Sequence, residues 1–331
     1  MPQLRKDPVQ ERWVIISTQR SKRPNDFALA TVDSDKASFC PFCPGSEDTT
    51  PSEILALRDD NGQWWTRVVP NNLPTLKVEG DLNSQAAGMY DRMDGIGAHE
   101  VIIESPDHDA SLASMPLEQV ESTIFAYRDR INDLKRDFRL QYILIFRNKG
   151  EAAGNHMISH PHSQLIALPV VPQRVEDEIK GSQRYFDFKD RCIFCDVIRQ
   201  ELATHSRVVS ENRHFIVFTP FASRFPFETW IVPKEHDSHF HTINDEQVRR
   251  LSRILKTTMQ QLSVTLNDPP YNMVLHTAPC QEGPMKAYHW HMEIMPRITT
   301  TAGFEWGSGF YINDTTPEDA ASYLRDAEIQ N

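Results

Sequence analysis

The feature that most constrains the fold is an internal repeat. Glu100-Val-Ile-Ile-Glu-Ser-Pro-Asp-His108 aligns with Glu228-Thr-Trp-Ile-Val-Pro-Lys-Glu-His236, an offset of 128 residues. Eleven residues beyond each His stands a Gln, Gln119 and Gln247, inside the same Glu-Gln-Val tripeptide. Tyr142-Ile-Leu-Ile-Phe146 then aligns with Tyr271-Asn-Met-Val-Leu275, and His160/His162 with His289/His291, both at an offset of 129. Landmarks that keep one spacing to within a residue over such a stretch mark two copies of one module.

Each copy reads as a strand ending at the lone His, a long helix, a strand, a loop and a strand carrying His-x-His. In the first helix Leu117, Val120, Ile124, Tyr127, Ile131 and Leu134 fall three or four apart and make one apolar face. Val248, Leu251, Leu255, Met259 and Leu262 do the same in the second copy. Trp13 to Ile16, Tyr142 to Phe146 and Phe215 to Phe218 are β-branched or aromatic runs that read as strands. Asn61-Gly62, ahead of Trp64-Trp65, is a hairpin signal. One main helix per several strands predicts an α+β class: tandem modules with largely antiparallel sheets, each packed on a long helix. The polar stretch 173–190 is expected to be a linker between modules at 1–172 and 191–331.

The 331 residues carry 35 Lys plus Arg against 46 Asp plus Glu, a net charge of −11. That balance argues against broad contact with a nucleic-acid backbone or an anionic membrane. The longest apolar run, Leu165 to Pro172, is far short of a bilayer span, and the polar N-terminus lacks a hydrophobic signal core. A soluble cytoplasmic protein is the expectation. Four of the five cysteines form two C-x-x-C pairs, Cys40/Cys43 and Cys192/Cys195, while Cys280 stands alone. In a cytosolic chain such pairs serve as metal ligands or redox dithiols more often than as disulfides, and neither lies in a βαβ redox pattern.

The repeat supplies histidine partners. Copy one offers Cys40, Cys43, His108 and His160; copy two offers Cys192, Cys195, His236 and His289. Two thiolates and two imidazoles make a closed tetrahedral set suited to Zn²⁺, with no open position for catalysis. A single Cys or His would read as a core or strand-end residue. The same four types in the same order in both copies point to two structural zinc sites.

Ser159-His160-Pro161-His162-Ser163-Gln164 is the most reactive-looking stretch. Residues two apart on a strand share a face, about 7 Å apart. With His160 held by metal, the His162 imidazole is free to attack an α-phosphorus and form a phosphoramidate. Gln164, on the same face, is placed to donate to the phosphoryl oxygens. Copy two has His291-Met292-Glu293 there. A carboxylate repels phosphate, so chemistry is assigned to copy one, and His291 is expected to be a packed structural residue.

These motifs resemble the galactose-1-phosphate uridylyltransferase branch of the histidine-triad superfamily. The resemblance rests on Arg20-Ser-Lys-Arg23-Pro24, Cys40-Pro-Phe-Cys43, Val69-Pro70-Asn71-Asn72, Ser105-Pro-Asp-His108, Asn148-Lys-Gly150 and His160-Pro-His162-Ser-Gln164. Tyr288-His-Trp-His291 and Gly303-Phe-Glu-Trp-Gly307 extend it over nearly the whole chain. It implies duplicated histidine-triad modules, a homodimer, and ping-pong transfer of a nucleoside monophosphate through a covalent histidine. His162 would be the nucleophile and Gln164 the phosphate donor. Arg20 and Arg23 would hold phosphates, and Asn71, Asn72 and Asn148 would lie against the nucleotide. The implied partners are a nucleotide sugar or other nucleotide donor and a sugar phosphate or phosphate acceptor. UDP-glucose with galactose 1-phosphate is the family's default pair.

Three departures bear on specificity. An extra residue separates Asn148 from His160. Ser163 stands where many uridylyltransferases have Gly, as in the related adenylyltransferases that phosphorolyse ADP-glucose. The family's sugar-phosphate-gripping Lys and Gln near the C-terminus have no match, and the Gly303 to Asn313 segment resembles the adenylyltransferase-like subgroup, as does the Cys192/Cys195 pair. An adenylyl donor with phosphate as acceptor is therefore the alternative. Some family members hold the second metal with a Glu and several His, which makes Glu178, His276 and His291 second-choice ligands. A nucleotide hydrolase and a non-enzymatic zinc protein are weaker readings, since Gln164 replaces the hydrolases' third His and an uncommitted His162 would go unexplained.

Overall fold

Strand pairing turns the duplication into one continuous sheet. The computed structural model describes residues 2–17, 22–27, 39–155 and 158–329. The first module contains β1 (Gln3–Lys6), β2 (Trp13–Ile16), β3 (Leu55–Arg58), β4 (Trp64–Pro70), β5 (Gln85–Ala87), β6 (Tyr90–Arg92), β7 (Ala98–Ile103), α1 (Leu117–Leu134), β8 (Tyr142–Lys149) and β9 (His162–Leu168). There follow α2 (Gln173–Lys189), α3 (Ile193–Thr204), β10 (Val208–Glu211), β11 (Phe215–Phe218), β12 (Thr229–Pro233), α4 (Asp245–Leu266), β13 (Tyr271–His276) and β14 (His291–Pro296). The chain closes with α5 (Gly303–Ser308), β15 (Tyr311–Asn313) and α6 (Pro317–Arg325).

Ten strands run in the order β10-β11-β12-β14-β13-β8-β9-β7-β4-β3, every neighbouring pair antiparallel. The α+β class and its antiparallel character hold. Instead of two separate sheets, β8 of copy one pairs with β13 of copy two over five residues, Tyr271–Lys149 to Leu275–Ile145. Joining the two strands removes an edge from each module. A small sheet of β1, β2 and β15 carries a parallel pairing, β15 with β2.

The two long helices form where the apolar periodicity predicts. Val120, Ile124, Tyr127 and Ile131 of α1 and Val248, Leu251, Leu255, Met259 and Leu262 of α4 are buried in one cluster with Ile102, Ile145, Ile231 and Met273 of the sheet. Asn244 caps α4: its side chain accepts from the Gln247 amide at 2.9 Å and Gln247 Oε1 accepts from the Asn244 amide at 2.9 Å, a capping box that gives the Gln of the repeated tripeptide a purpose. The Asn61-Gly62 turn joins β3 to β4, with Gly62 at φ +80°, a conformation that favours glycine.

Two expectations are corrected. The stretch 173–190, read as a linker, is the helix α2 with an Asp190 cap, and it buries Val175, Glu178, Gly181 and Ser182. Its polar composition misled because the apolar face is narrow and one of its inward residues is a carboxylate. The repeat is also shifted by one residue in two strands. Ser163 faces Ile102, and Met292, its equivalent one strand pair away, faces Ile231, so these strands correspond at 129 rather than at the 128 that aligns Glu100 with Glu228. Likewise Phe146 faces Gln164 and Val274 faces Glu293, an offset of 128 where the sequence suggested 129. Single-residue differences in loops cancel along the chain, which hid both slips.

Candidate functional site

Strand β9 begins at His162, directly after the cis-free turn Ser159-His160-Pro161. His160 is therefore not in the strand itself; it is fully buried, whereas His162 is half-buried. The difference follows from what each ring meets.

Cys40, Cys43, His108 and His160 converge as the repeat predicts, and so do Cys192, Cys195, His236 and His289. Cys43 Sγ lies 3.4 Å from His108 Nδ1 and 3.6 Å from His160 Nδ1, with Cys40 Sγ 3.7 Å from His160 Nδ1. Cys195 Sγ lies 3.5 Å from His236 Nδ1 and 3.7 Å from His289 Nδ1. A tetrahedral zinc with Zn–S of about 2.3 Å and Zn–N of about 2.05 Å separates S from N by about 3.6 Å, so both donor sets fit a metal ion of that size. All four imidazoles present Nδ1 to the cluster and use Nε2 elsewhere: His160 to the Ser105 carbonyl at 2.7 Å, His108 to the Ser159 hydroxyl at 3.0 Å, His289 to the Pro233 carbonyl at 2.9 Å and His236 to the Met285 carbonyl at 3.1 Å. Such partners fix ring tautomer and orientation at metal sites. The Cys195 thiol is pulled down to about 3, first by the Cys192 thiol that hydrogen-bonds it and then by the two histidines, while burial drives Cys43 up to about 11.

The His162 ring packs edge-on against Phe42, the inner residue of the first C-x-x-C loop, at 5.5 Å between centroids. Its Nδ1 lies 2.8 Å from the His160 carbonyl oxygen, which can only accept. Nδ1 therefore carries the hydrogen and Nε2 the lone pair. Burial, helped by the Arg147 charge, lowers the pKa of His162, which keeps the ring neutral and nucleophilic near pH 7. Gln164 lies two residues on. Its Oε1 faces His99 Nε2 at 2.9 Å, and its amide nitrogen has no protein partner among the described residues. Asn148 accepts at Oδ1 from Asn272 Nδ2 at 2.8 Å. Asn71 donates its backbone N–H to the His99 carbonyl at 2.9 Å, and its side-chain nitrogen lies 3.2 Å from His99 Nε2. Asn72 is exposed beside it. Arg23 caps the turn at Pro24–Asp26 through its backbone N–H and Asp26 Oδ2, at 2.8 Å. Arg20 lies outside the described residues, as do His156 and Met157 of the longer loop before His160.

His99 and Asn272 escaped the sequence reading. Neither lies in a motif, and only strand register places His99 beside Gln164 and Asn272 opposite Asn148. Ser163 points to the other face of β9, where its hydroxyl meets Tyr127 and Glu104, and Glu104 pairs with Arg147. A hydroxyl there anchors the strand from beneath rather than touching a ligand.

The same patch of copy two is closed. His291 is buried and sandwiched, its ring 4.7 Å from Trp230 and 4.6 Å from His276. Glu178, His276, His291 and Glu293 converge as a third donor cluster, separate from the cysteine set, rather than competing with it for one ion. Burial opposes charge on His276, yet Glu178 at 3.1 Å and Glu293 at 3.4 Å outweigh it and raise its pKa to about 10. Arg224 pairs with Glu293 and with Glu228 as well, so cations within the cluster offset its carboxylates.

A strand-borne imidazole with a free lone pair, flanked by amide donors and set beside a four-donor Cys/His cluster in a duplicated module, defines a nucleotidyltransferase of the histidine-triad type. The chain matches the galactose-1-phosphate uridyl transferase N-terminal domain over residues 1–172 and the C-terminal domain of the same enzymes over residues 178–329. It belongs to that family. An ADP-glucose phosphorylase of Arabidopsis thaliana is 38% identical over 334 residues, covering 99% of this chain and 93% of the relative. A galactose-1-phosphate uridylyltransferase of Thermotoga maritima is 30% identical over 339 residues, covering 100% of both. The fold overlays the crystal structure of an Arabidopsis thaliana ADP-glucose phosphorylase with bound ADP-glucose at a TM-score of 0.85, with 37% identity, 99% of this chain and 100% of that one covered. No helix among the described residues is long and apolar enough to cross a membrane.

Proposed function

We propose that the chain transfers a nucleoside monophosphate in two displacements through His162, and that its donor is ADP-glucose with inorganic phosphate as acceptor. The observation that carries the reading is the Nδ1–H of His162 held by the His160 carbonyl, which leaves Nε2 as the nucleophile. Nε2 attacks the α-phosphorus, the bond to the bridging oxygen breaks, and glucose 1-phosphate leaves. The phosphoramidate ring gains positive charge, which the hydrogen bond from Nδ1 to the His160 carbonyl disperses. Gln164 and Asn148 donate to the phosphoryl oxygens, Asn71 and Asn72 border the nucleotide, and Arg20 and Arg23 neutralise phosphates. A phosphate oxygen then attacks the same phosphorus, releasing ADP and restoring the imidazole.

The adenylyl donor is favoured by the higher identity to an ADP-glucose phosphorylase and by the resemblance of the Gly303 to Asn313 segment to the adenylyltransferase-like subgroup. UDP-glucose with galactose 1-phosphate is the second reading, supported by the family and by relatives of that activity. Zinc in the two Cys₂His₂ sets would cross-link loop to strand and supply no reacting group; the first set would fix His160 and thereby the carbonyl that orients His162. Five free thiols accord with a reducing cytoplasm, and a homodimer accords with the family. The modules of this reading are 1–172 and 191–331, with α2 between them hydrogen-bonded through Glu178 to His276 and Tyr288 of the second and to Gln10 of the first. The experiment is trapping: protein mixed with ADP-glucose or UDP-glucose labelled in the α-phosphate. Acid-labile label from ADP-glucose supports the reading; label from UDP-glucose alone selects the second, and no label overturns both.

A further inference from the structure

We propose that His99 and Asn272 are positioning residues that lock the side-chain amides of Gln164 and Asn148 so that both NH₂ groups face the phosphoryl group on His162. The inference rests on the nucleotidyl-histidine reading above. A primary amide has nearly the same shape in its two flipped orientations, but one offers hydrogens to an anionic phosphoryl and the other offers lone pairs. Something must choose.

At Gln164 the choice is made by His99. Thr75 presents both its backbone N–H, at 3.3 Å, and its hydroxyl, at 3.4 Å, to His99 Nδ1, against the single Asn71 side-chain nitrogen 3.2 Å from Nε2, so we assign the lone pair to Nδ1 and the hydrogen to Nε2. That hydrogen goes to Gln164 Oε1 at 2.9 Å. The His99 ring is buried, and its carbonyl is clamped by the Asn71 backbone N–H at 2.9 Å, so it has little freedom to turn. At Asn148 the choice is made by Asn272, directly opposite on β13. Asn272 Nδ2 donates to Asn148 Oδ1 at 2.8 Å and to the Ala153 carbonyl at 2.8 Å. Both of its hydrogens are committed, so flipping it would set its oxygen against two acceptors. In each case the target's carbonyl oxygen is occupied and its nitrogen keeps its hydrogens. Register puts both on one patch: Gln164 is two residues beyond His162 on β9 and faces Phe146, so Asn148 continues that line to the level of His162.

A buried His of the first module and an Asn of the second converge on these two amides. The second module thus contributes to chemistry carried out by the first.

The test uses the full-length enzyme and labelled ADP-glucose, with UDP-glucose in parallel. His99→Phe and Asn272→Ala are each expected to slow formation of labelled protein and lower kcat about 10- to 100-fold, with KM changing far less. His99→Gln, which retains a donor, is expected to recover most of the rate. In a Gln164→Ala background His99→Phe is expected to cost nothing further, because there is no amide left to orient. The Asn272→Ala and Asn148→Ala cycle repeats the test at the other amide should a His99 variant fail to fold. A wild-type enzyme that labels normally while His99→Phe labels equally fast, or a His99→Phe loss that recurs in full in the Gln164→Ala background, overturns the inference alone. Absence of label on the wild type overturns the function reading, and the inference with it.

Discussion

His162 Nδ1 sits 2.8 Å from the backbone carbonyl of His160, and His160 is itself held at both ring nitrogens, by the Cys40/Cys43 sulfurs and by the Ser105 carbonyl at 2.7 Å. The tautomer of the proposed nucleophile is thus set by the backbone of a residue that can neither rotate nor withdraw.

His162→Asn is expected to abolish covalent labelling and reduce turnover by several orders of magnitude, because no other side chain offers a lone pair at that place. The protein should fold normally, since the ring is half-buried and packs edge-on against Phe42. Steady-state assays with a parallel thermal melt check this; full activity in His162→Asn would refute the mechanism.

Cys43→Ser is expected to remove one bound metal ion per chain and lower the melting temperature, because a four-donor set that ties a loop to two other segments contributes to folding. Elemental analysis before and after prolonged chelation should give two zinc ions falling toward zero, with loss of activity following loss from the first site. A protein that contains no metal when purified without chelator would count against both sites.

His276→Gln is expected to destabilise the fold by about 3–5 kcal/mol, because it leaves Glu178 and Glu293 buried without the charge between them. The pH dependence has a definite sign. His276 titrates near 10 in the fold against about 6.5 unfolded, so its contribution is complete below about 6.5 and is lost as pH rises toward 10. Glu178 and Glu293 are held below the ordinary carboxylate value, so their contribution is present above about 4.5 and is lost on further acidification. Urea unfolding from pH 4 to 10 should show the wild-type advantage over His276→Gln shrinking on the alkaline side.

Gly181→Ala is expected to cost about 1–3 kcal/mol despite the better helix propensity of Ala. A Cβ at Gly181 would lie 1.9 Å from the Val9 carbonyl oxygen, so α2 and the N-terminal segment could not keep their present approach. Equilibrium unfolding measures it; an unchanged or raised midpoint would show that the contact yields easily.

Much of this was legible in the residues themselves. The cysteine–histidine sets, the His162–Gln164 face and the two long helices follow from spacing, because ligand sets and helical stripes are written in the order of residue types. Strand register is not written that way. One-residue slips at Ile102/Ile231 and Phe146/Val274 cancelled in the chain count, and with the register hidden, His99 and Asn272 looked like isolated polar residues. Helix α2 was missed for a related reason: its buried Glu178 counts as polar in composition, although its partners His276, Tyr288 and Gln10 are distant in sequence.

The slips also reveal what became of the twin. Position for position, His291 stands where His162 does, Glu293 where Gln164 does and His276 where Asn148 does. Trp230, Phe194 and α2 cover them, and Arg224 brings to that spot a positive charge of the protein's own. If transfer runs on His162 as proposed, the second half carries no reacting group of its own, and it no longer has to stay open to solvent or yield to a visitor. It has become a buttress, stiff through its inner network of charges, on which the working half leans along the seam between β8 and β13.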